Sequence, residues 1–208
     1  MKKIEPFKNI DEAIATLDNG GRFYNILTKA DDGVISPAEL GKVAGLFSDK
    51  QKMILFLDVS ISELDTLARN QIISSLSKDF QSIYAKYNVI ELLPSEVNHK
   101  GKLSLNTIIT GIPKKVASQS DFNGFIMVPI VAGKVTTFSM IPIVETYDVY
   151  EIAEEESSET FLIAHAKGYH KLPEKKIKIA GVLKELKSKK DEKTASKKYL
   201  EAVYYIEI

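Results

Sequence analysis

The chain has 208 residues, 44% of them hydrophobic and 27% charged, with 28 basic side chains against 28 acidic ones and no cysteine. That much apolar material supports a folded core and excludes wholesale disorder, which needs low hydrophobicity together with high net charge. The missing cysteine excludes a disulfide scaffold, a cysteine-ligated zinc module and a thiol nucleophile.

In chain order, the first ten residues, MKKIEPFKNI, hold two lysines but no apolar stretch behind them, so no secretory leader is expected. No run approaches the roughly 18 apolar residues that cross a bilayer, which predicts a cytoplasmic protein with no membrane partner. Residues 1–88 read as helices. Asn9-Ile-Asp-Glu12 has the form of a capping box, and Ile10, Ala13, Ile14 and Leu17 follow at helical spacing. A second apolar patch spans Phe23 to Leu27. Ser36-Pro37-Ala38-Glu39 opens the next helix, with a serine that can cap and a proline suited to the first helical position. From Leu64 to Tyr87 a long amphipathic run would span about 36 Å at about 1.5 Å per residue if it were helical throughout.

The texture changes after Asn88. Gly and Pro punctuate short runs rich in Ile, Val, Thr and aromatics, as strands between turns do. Met127-Val-Pro-Ile-Val131 and Met140-Ile-Pro-Ile-Val144 are near-copies. Proline is confined to sheet edges and bulges, so they are expected to flank a hairpin. Near the C-terminus, Ile177 and Ile179, and then Leu200, Ala202, Tyr204, Ile206 and Ile208, alternate with polar neighbours, which puts one face on a core. The expected fold class is therefore α+β. A helical bundle over residues 1–90 precedes a mostly antiparallel β-rich domain over residues 91–208.

Residues 28–40, TKADDGVISPAEL, carry an acidic glycine turn between two helical segments. The plain reading is a turn at Asp32-Gly33 followed by a helix cap at Ser36–Glu39. The stretch also resembles a degenerate EF-hand loop, with Asp32, Ser36 and Glu39 at ligand positions. That resemblance implies calcium, although Thr28 and Ala30 stand where two oxygen ligands belong. No other cofactor is expected. Ala30–Glu39 is also similar to the acidic-glycine turns of the helical tellurite-resistance domain family, which implies a context of stress or envelope biology.

Net neutrality hides a lopsided charge distribution. Glu145–Glu159 holds seven acids and no base, whereas Lys171–Lys198 holds eleven lysines and four acids. Lys187–Lys198, KSKKDEKTASKK, lies between two expected strands and reads as a mobile hairpin loop. A penultimate strand, a variable loop and a closing strand in this order resemble the end of an OB fold, which implies a small barrel over residues 135–208. On that resemblance Lys184, Lys187, Lys189, Lys190, Lys197 and Lys198 would track phosphates. Tyr147, Tyr150, Tyr199 and Tyr205 would then offer stacking platforms. Against it, the only arginines are Arg22 and Arg69, far from this segment, and arginine is the preferred reader of bases and phosphates.

The three histidines, His99, His165 and His170, lack a carboxylate at ligand spacing and read as incidental. The chain has no phosphate loop, nucleophile elbow or HExxH helix, and no catalytic residue stands out. The sequence therefore predicts a non-catalytic binding or interaction protein, a helical docking module joined to a small β-barrel. Its partner would be an unidentified protein or a second copy through self-association. Two other readings stand beside it. One is a sequence-tolerant binder of single-stranded nucleic acid through the lysine-rich loop 187–198. The other is a hydrolase-like enzyme with a cleft between the two halves.

Overall fold

A computed structural model describes residues 1–19, 31–116, 124–132, 135–155, 159–168, 171–188 and 197–208. Among the described residues the chain has seven helices and a nine-stranded mixed sheet, an α+β architecture. It divides into two compact units, one comprising Lys2–Ile90 with Tyr204–Ile206, the other Met1, Glu91–Val203 and Glu207–Ile208.

The first unit is mainly helical. Strand β1 (Lys2–Lys3) is followed by α1 (Ile10–Leu17), α2 (Pro37–Ala44), α3 (Lys50–Ser60), α4 (Thr66–Ser74) and α5 (Lys78–Lys86). Local chemistry sets most of the helix starts. Asn9 accepts from the Glu12 backbone N–H at 2.9 Å, while Glu12 reaches back to the Lys8 N–H rather than to Asn9 itself. At α2 the box closes fully. The Ser36 hydroxyl accepts from the Glu39 N–H, the Glu39 carboxylate accepts from the Ser36 N–H at 2.8 Å, and Pro37 fills the first position. Gly45 ends α2 in the left-handed region at φ 72°. Asp49 and Asp65 cap α3 and α4 in the same way. Ala13, Leu17, Leu40, Ile54, Leu57, Val59, Ile72 and Phe80 are fully buried in the core of this unit.

The amphipathic run from Leu64 to Tyr87 is not one helix. It breaks at Ser75–Ser77, where Ile35 pairs with Leu76 as an isolated parallel bridge. The Ile35 N–H donates to the Ser75 carbonyl at 2.8 Å, and the Ser77 N–H donates to the Ile35 carbonyl at 2.9 Å. Groups the helix would have used along its own axis are thus taken by a distant residue, and α5 starts afresh after Ser77.

The second unit is mainly strand. It takes up β2 (Val89–Leu92) at its margin, then α6 (Pro94–Lys100), β3 (Asn106–Lys115), β4 (Gly124–Ala132), β5 (Val135–Pro142), α7 (Ile143–Thr146), β6 (Tyr147–Ala153), β7 (Thr160–Ala166), β8 (Ile177–Ser188) and β9 (Lys197–Glu207). The strand order is β1-β9-β7-β6-β3-β8-β4-β5, with β2 beside β3 and an additional β8–β9 pairing. β3 runs antiparallel to both β6 and β8, and β7 runs parallel to β9. Met127 and Met140 stand directly opposite each other in the β4–β5 hairpin register, but from there the near-copies run in opposite directions: the first lies wholly in β4, whereas the second leaves β5 at Pro142 and its Ile143-Val144 belong to α7. The expected alternation holds at Ile177 and Ile179 and at Leu200, Ala202, Tyr204 and Ile206, all buried, but not at Ile208, which follows the end of β9 and is exposed.

At Gly181 the backbone of β8 comes close to β9. A Cβ there would collide with the Glu201 carbonyl oxygen and sit 2.9 Å from Leu200 Cγ. Backbone cannot yield as a flexible side chain can. Gly181→Ala is expected to cost about 1–3 kcal/mol through overpacking, read as a lowered denaturation midpoint in urea. An unchanged midpoint would show that the two strands are not in this contact.

Candidate functional site

Along one edge of β8 the hydrogen-bonding partner changes. The β3 ladder runs from Ile177 to Val182, and the Leu183 N–H still donates to the Leu105 carbonyl at 3.0 Å. Among the described residues the β4 ladder has two residue pairs, Gly124 with Ser188 and Phe125 with Lys187. Lys184–Leu186 therefore lie between the two ladders, at a fork from which β4 departs. An open groove of about 350 Å³ occupies this fork, lined by Phe125, Ile126, Met127, Tyr147, Lys184, Glu185, Lys187, Tyr199 and Glu201. That volume falls at the small end of ligand-sized clefts.

One wall is apolar. Phe125 is buried, Ile126 packs against a cluster of Ile143, Val149, Ala164, Leu186 and Tyr199, and Met127 reaches solvent. The other wall is polar and tied together. The Tyr147 hydroxyl donates to Glu201 Oε1 at 2.9 Å, and Lys184 Nζ stands 3.8 Å from Glu201 Oε2. Burial, reinforced by the Glu201 charge, pushes the Tyr147 hydroxyl up to about 12, so it stays a hydrogen-bond donor at neutral pH. Tyr199 lies edge-on to Tyr147, with ring centroids 6.5 Å apart. Lys184, Lys187, Glu185 and Glu201 balance, so the groove carries no net formal charge.

The described residues of the β-rich unit that were proposed from sequence for nucleic acid are brought together only in part. Lys184 and Lys187 line the groove, and Lys197 is exposed at the start of β9. Lys198 is engaged elsewhere, donating to the Gly101 carbonyl at 2.7 Å and the Asn98 carbonyl at 3.1 Å, where it caps the C-terminal end of α6. Tyr199, expected to offer a stacking platform, is only 4% exposed because Tyr147 covers it. Tyr150 is likewise buried, its hydroxyl accepting from the Leu172 N–H. Tyr205 belongs to the helical unit, and Lys189 and Lys190 lie outside the described residues. Phe125, Ile126, Met127 and Glu201 were not singled out by sequence reasoning. The repeated Met-x-Pro-Ile-Val motif was the one signal that pointed to this hairpin.

Three members of the acidic run have local partners. Asp148 pairs with Lys115 at 2.6 Å, Glu155 with Lys176 at 3.2 Å, and Glu154 accepts from both the Ser95 N–H and hydroxyl.

In the helix–loop–helix, Asp32 Oδ1 accepts from the Val34 N–H at 3.0 Å, and the Ser36 hydroxyl and N–H both donate to Glu39 Oε2. Asp18, a residue that the EF-hand resemblance left out, accepts from the Gly33 N–H at 2.6 Å. Thr28 and Ala30 lie outside the described residues. Among the described residues no cluster of three His, Asp or Glu side chains could hold a metal ion.

His99 is exposed in the last turn of α6, His170 lies outside the described residues, and His165 is buried in β7. The His165 ring stacks on Tyr150 at 5.6 Å, and Nδ1 lies 3.0 Å from the Ala166 carbonyl. That carbonyl can only accept, which assigns the proton to Nδ1. Nε2 is buried and has no hydrogen-bond partner among the described residues. Burial holds the imidazole pKa below its ordinary value; the Ala166 carbonyl and the Asp148 carboxylate oppose that shift, and the N-terminal amine and Lys115 add to it weakly.

No protein-family model matches this chain, and no curated protein matches it.

The unfolded chain takes up a proton at His165 near pH 6.5, whereas the folded chain resists it. The stabilising contribution is therefore complete above about pH 6.5 and is lost as pH falls toward the depressed folded value. One proton limits the slope to about 1.4 kcal/mol per pH unit. Chemical denaturation from pH 7 to pH 5 should show stability falling with acid in the native chain and a flatter profile in His165→Gln. Equal slopes would mean that His165 protonates as easily folded as unfolded.

Proposed function

We propose that this chain is a non-catalytic binding protein whose β-rich unit folds as a small OB-like barrel and holds its ligand in the groove at the β4–β8 fork. The observation that carries the reading is the groove itself, an apolar wall of Phe125, Ile126 and Met127 facing a tied polar wall of Tyr147, Lys184 and Glu201. The lining is mixed and more polar than apolar, so Tyr147, Lys184 and Glu201 would fix a ligand's orientation while Phe125, Ile126 and Met127 supply the apolar contact. Glu201 is held by both Tyr147 and Lys184, an arrangement suited to positioning a ligand rather than to moving protons.

The barrel reading is supported by the pairings. β3–β6, β6–β7, β7–β9, β9–β8 and β8–β3 return to their starting strand, with one parallel step between β7 and β9. This ring includes β3, so the barrel would reach back to Asn106, well before residue 135. β4 and β5 then form a long hairpin inserted between the first two strands of the ring. Closing a sheet removes its edges, which is how small β domains avoid unpaired backbone.

The ligand class best fitted is a peptide carrying a large apolar side chain. The groove has no net formal charge, and a phosphate chain is attracted chiefly by net positive charge. Peptides selected from a displayed random library on the native chain should bind Met127→Asp about tenfold or more weakly, as expected for a central apolar contact. Peptides that bind both equally, or a library that yields no binder, would remove the groove as the ligand face. A fluorescent single-stranded oligonucleotide tests the competing reading. Affinity that falls steeply with salt and disappears in Lys187→Gln with Lys197→Gln would replace the peptide by nucleic acid.

A further inference from the structure

The outer strand of the hairpin is open to solvent and bare of charge. Among the described residues β5 ends the strand order, paired with β4 from Val135↔Ala132 to Pro142↔Phe125. Its apolar side chains are unusually open, Val135 and Phe138 at 61% exposure and Met140 at 48%, with Met127 opposite Met140 at 37%. Neither β4, GFIMVPIVA, nor β5, VTTFSMIP, contains a charged residue, in a chain that is 27% charged.

An exposed edge strand is a template for further pairing, and proteins usually blunt such edges with lysine or keep them very short. The other end of the strand order shows both devices, since β1 is two residues long and consists of Lys2 and Lys3. β5 has neither. Pro142, the only proline in it, stands at its last position.

We infer that β5 is an interface for a second copy of this chain, joined antiparallel about a two-fold axis near the middle of the strand. The choice of a second copy rests on charge. In a two-fold antiparallel pair each strand meets itself, so a charged residue near the axis faces its own like charge. An uncharged strand meets that symmetry at any register, whereas a charged one needs opposite charges at symmetry-related positions. A foreign partner imposes no such condition and is ordinarily given direction and register by charge. Pairing of this kind also brings Phe138 and Met140 of one copy beside those of the other, covering the apolar side chains that a single copy leaves in water.

Sedimentation over a wide range of protein concentration tests the inference on the full chain. The native mass should rise toward twice 23.2 kDa, and Phe138→Lys and Met140→Lys should remain at 23.2 kDa while keeping the native circular dichroism spectrum. Phe138→Leu should still pair. If a lysine at Phe138 prevents folding, Val135→Lys at the exposed start of the strand answers the same question. In the native chain, amide hydrogen exchange should slow with concentration in β5 and not in β1. A native chain that stays at 23.2 kDa throughout overturns the inference, as does a dimer that survives every lysine variant. Groove binding by selected peptides is read separately in Phe138→Lys, which does not line the groove, so the two readings can fail independently.

Discussion

Strand β8 is twelve residues long, and along one of its edges no single neighbour supplies hydrogen-bond partners for all of it. Each backbone N–H and C=O taken from water needs a partner, so a strand that outruns one neighbour must recruit another or remain wet. β8 recruits β3 for its first half and β4 for its last two residues. The stretch between, Lys184–Leu186, is where the sheet opens. The groove, the departure of the β4–β5 hairpin and the exposure of β5 all follow from that mismatch of ladder lengths. The other edge of β8 is held by β9, with Gly181 allowing a close approach, so the mismatch is not relieved by a shift of the strand.

Charge shapes this unit differently from what its linear distribution suggests. Seven acids in one run and eleven lysines in another look like two opposed patches when read along the chain. In space, members of each run stand beside an opposite charge or a donor. Asp148 meets Lys115, Glu155 meets Lys176, and Glu201 meets Lys184. Exposed pairs such as these contribute little each to stability, roughly 0–1 kcal/mol. Their larger effect is to cancel long-range fields. A groove without net formal charge offers little to attract a polyanion, which is why we propose a peptide as its ligand in place of a phosphate chain.

What could be read from the sequence was what local interactions decide. The Ser36–Glu39 cap depends on four consecutive residues, and the alternation of β9 depends only on the parity of the strand. The break in the Leu64–Tyr87 run was hidden because it is made by Ile35, some forty positions earlier, whose backbone takes the groups a continuous helix would have used. Tyr199 shares the face of Glu201, which parity places toward solvent. It is buried nevertheless, because Tyr147 from another strand lies over it. The groove was illegible for the same reason. Its existence depends on where one ladder stops and another begins, and no residue type encodes that position. Only the Met-x-Pro-Ile-Val repeat gave a trace of it, by marking two strands that tolerate proline and therefore sit toward an edge.

The hairpin poses an energetic question that its own contacts leave partly unanswered. Two strands alone are marginal in water, because a single ladder with one solvated face buries too little apolar area to offset the entropy of ordering it. Among the described residues β4 is attached to β8 by two residue pairs, and the short helix α7 lies against the base of both hairpin strands. The remainder extends from that anchorage with Phe138 and Val135 in solvent. Sequence preference does part of the stabilisation, since Val, Ile, Thr and Phe dominate both strands and favour the extended backbone. Propensity cannot hide the apolar surface, however. A further strand along β5 would satisfy the outward backbone groups and remove that surface from water at the same time. The features that make the hairpin weakly held as a monomer are thus the same ones that make it a favourable element to share.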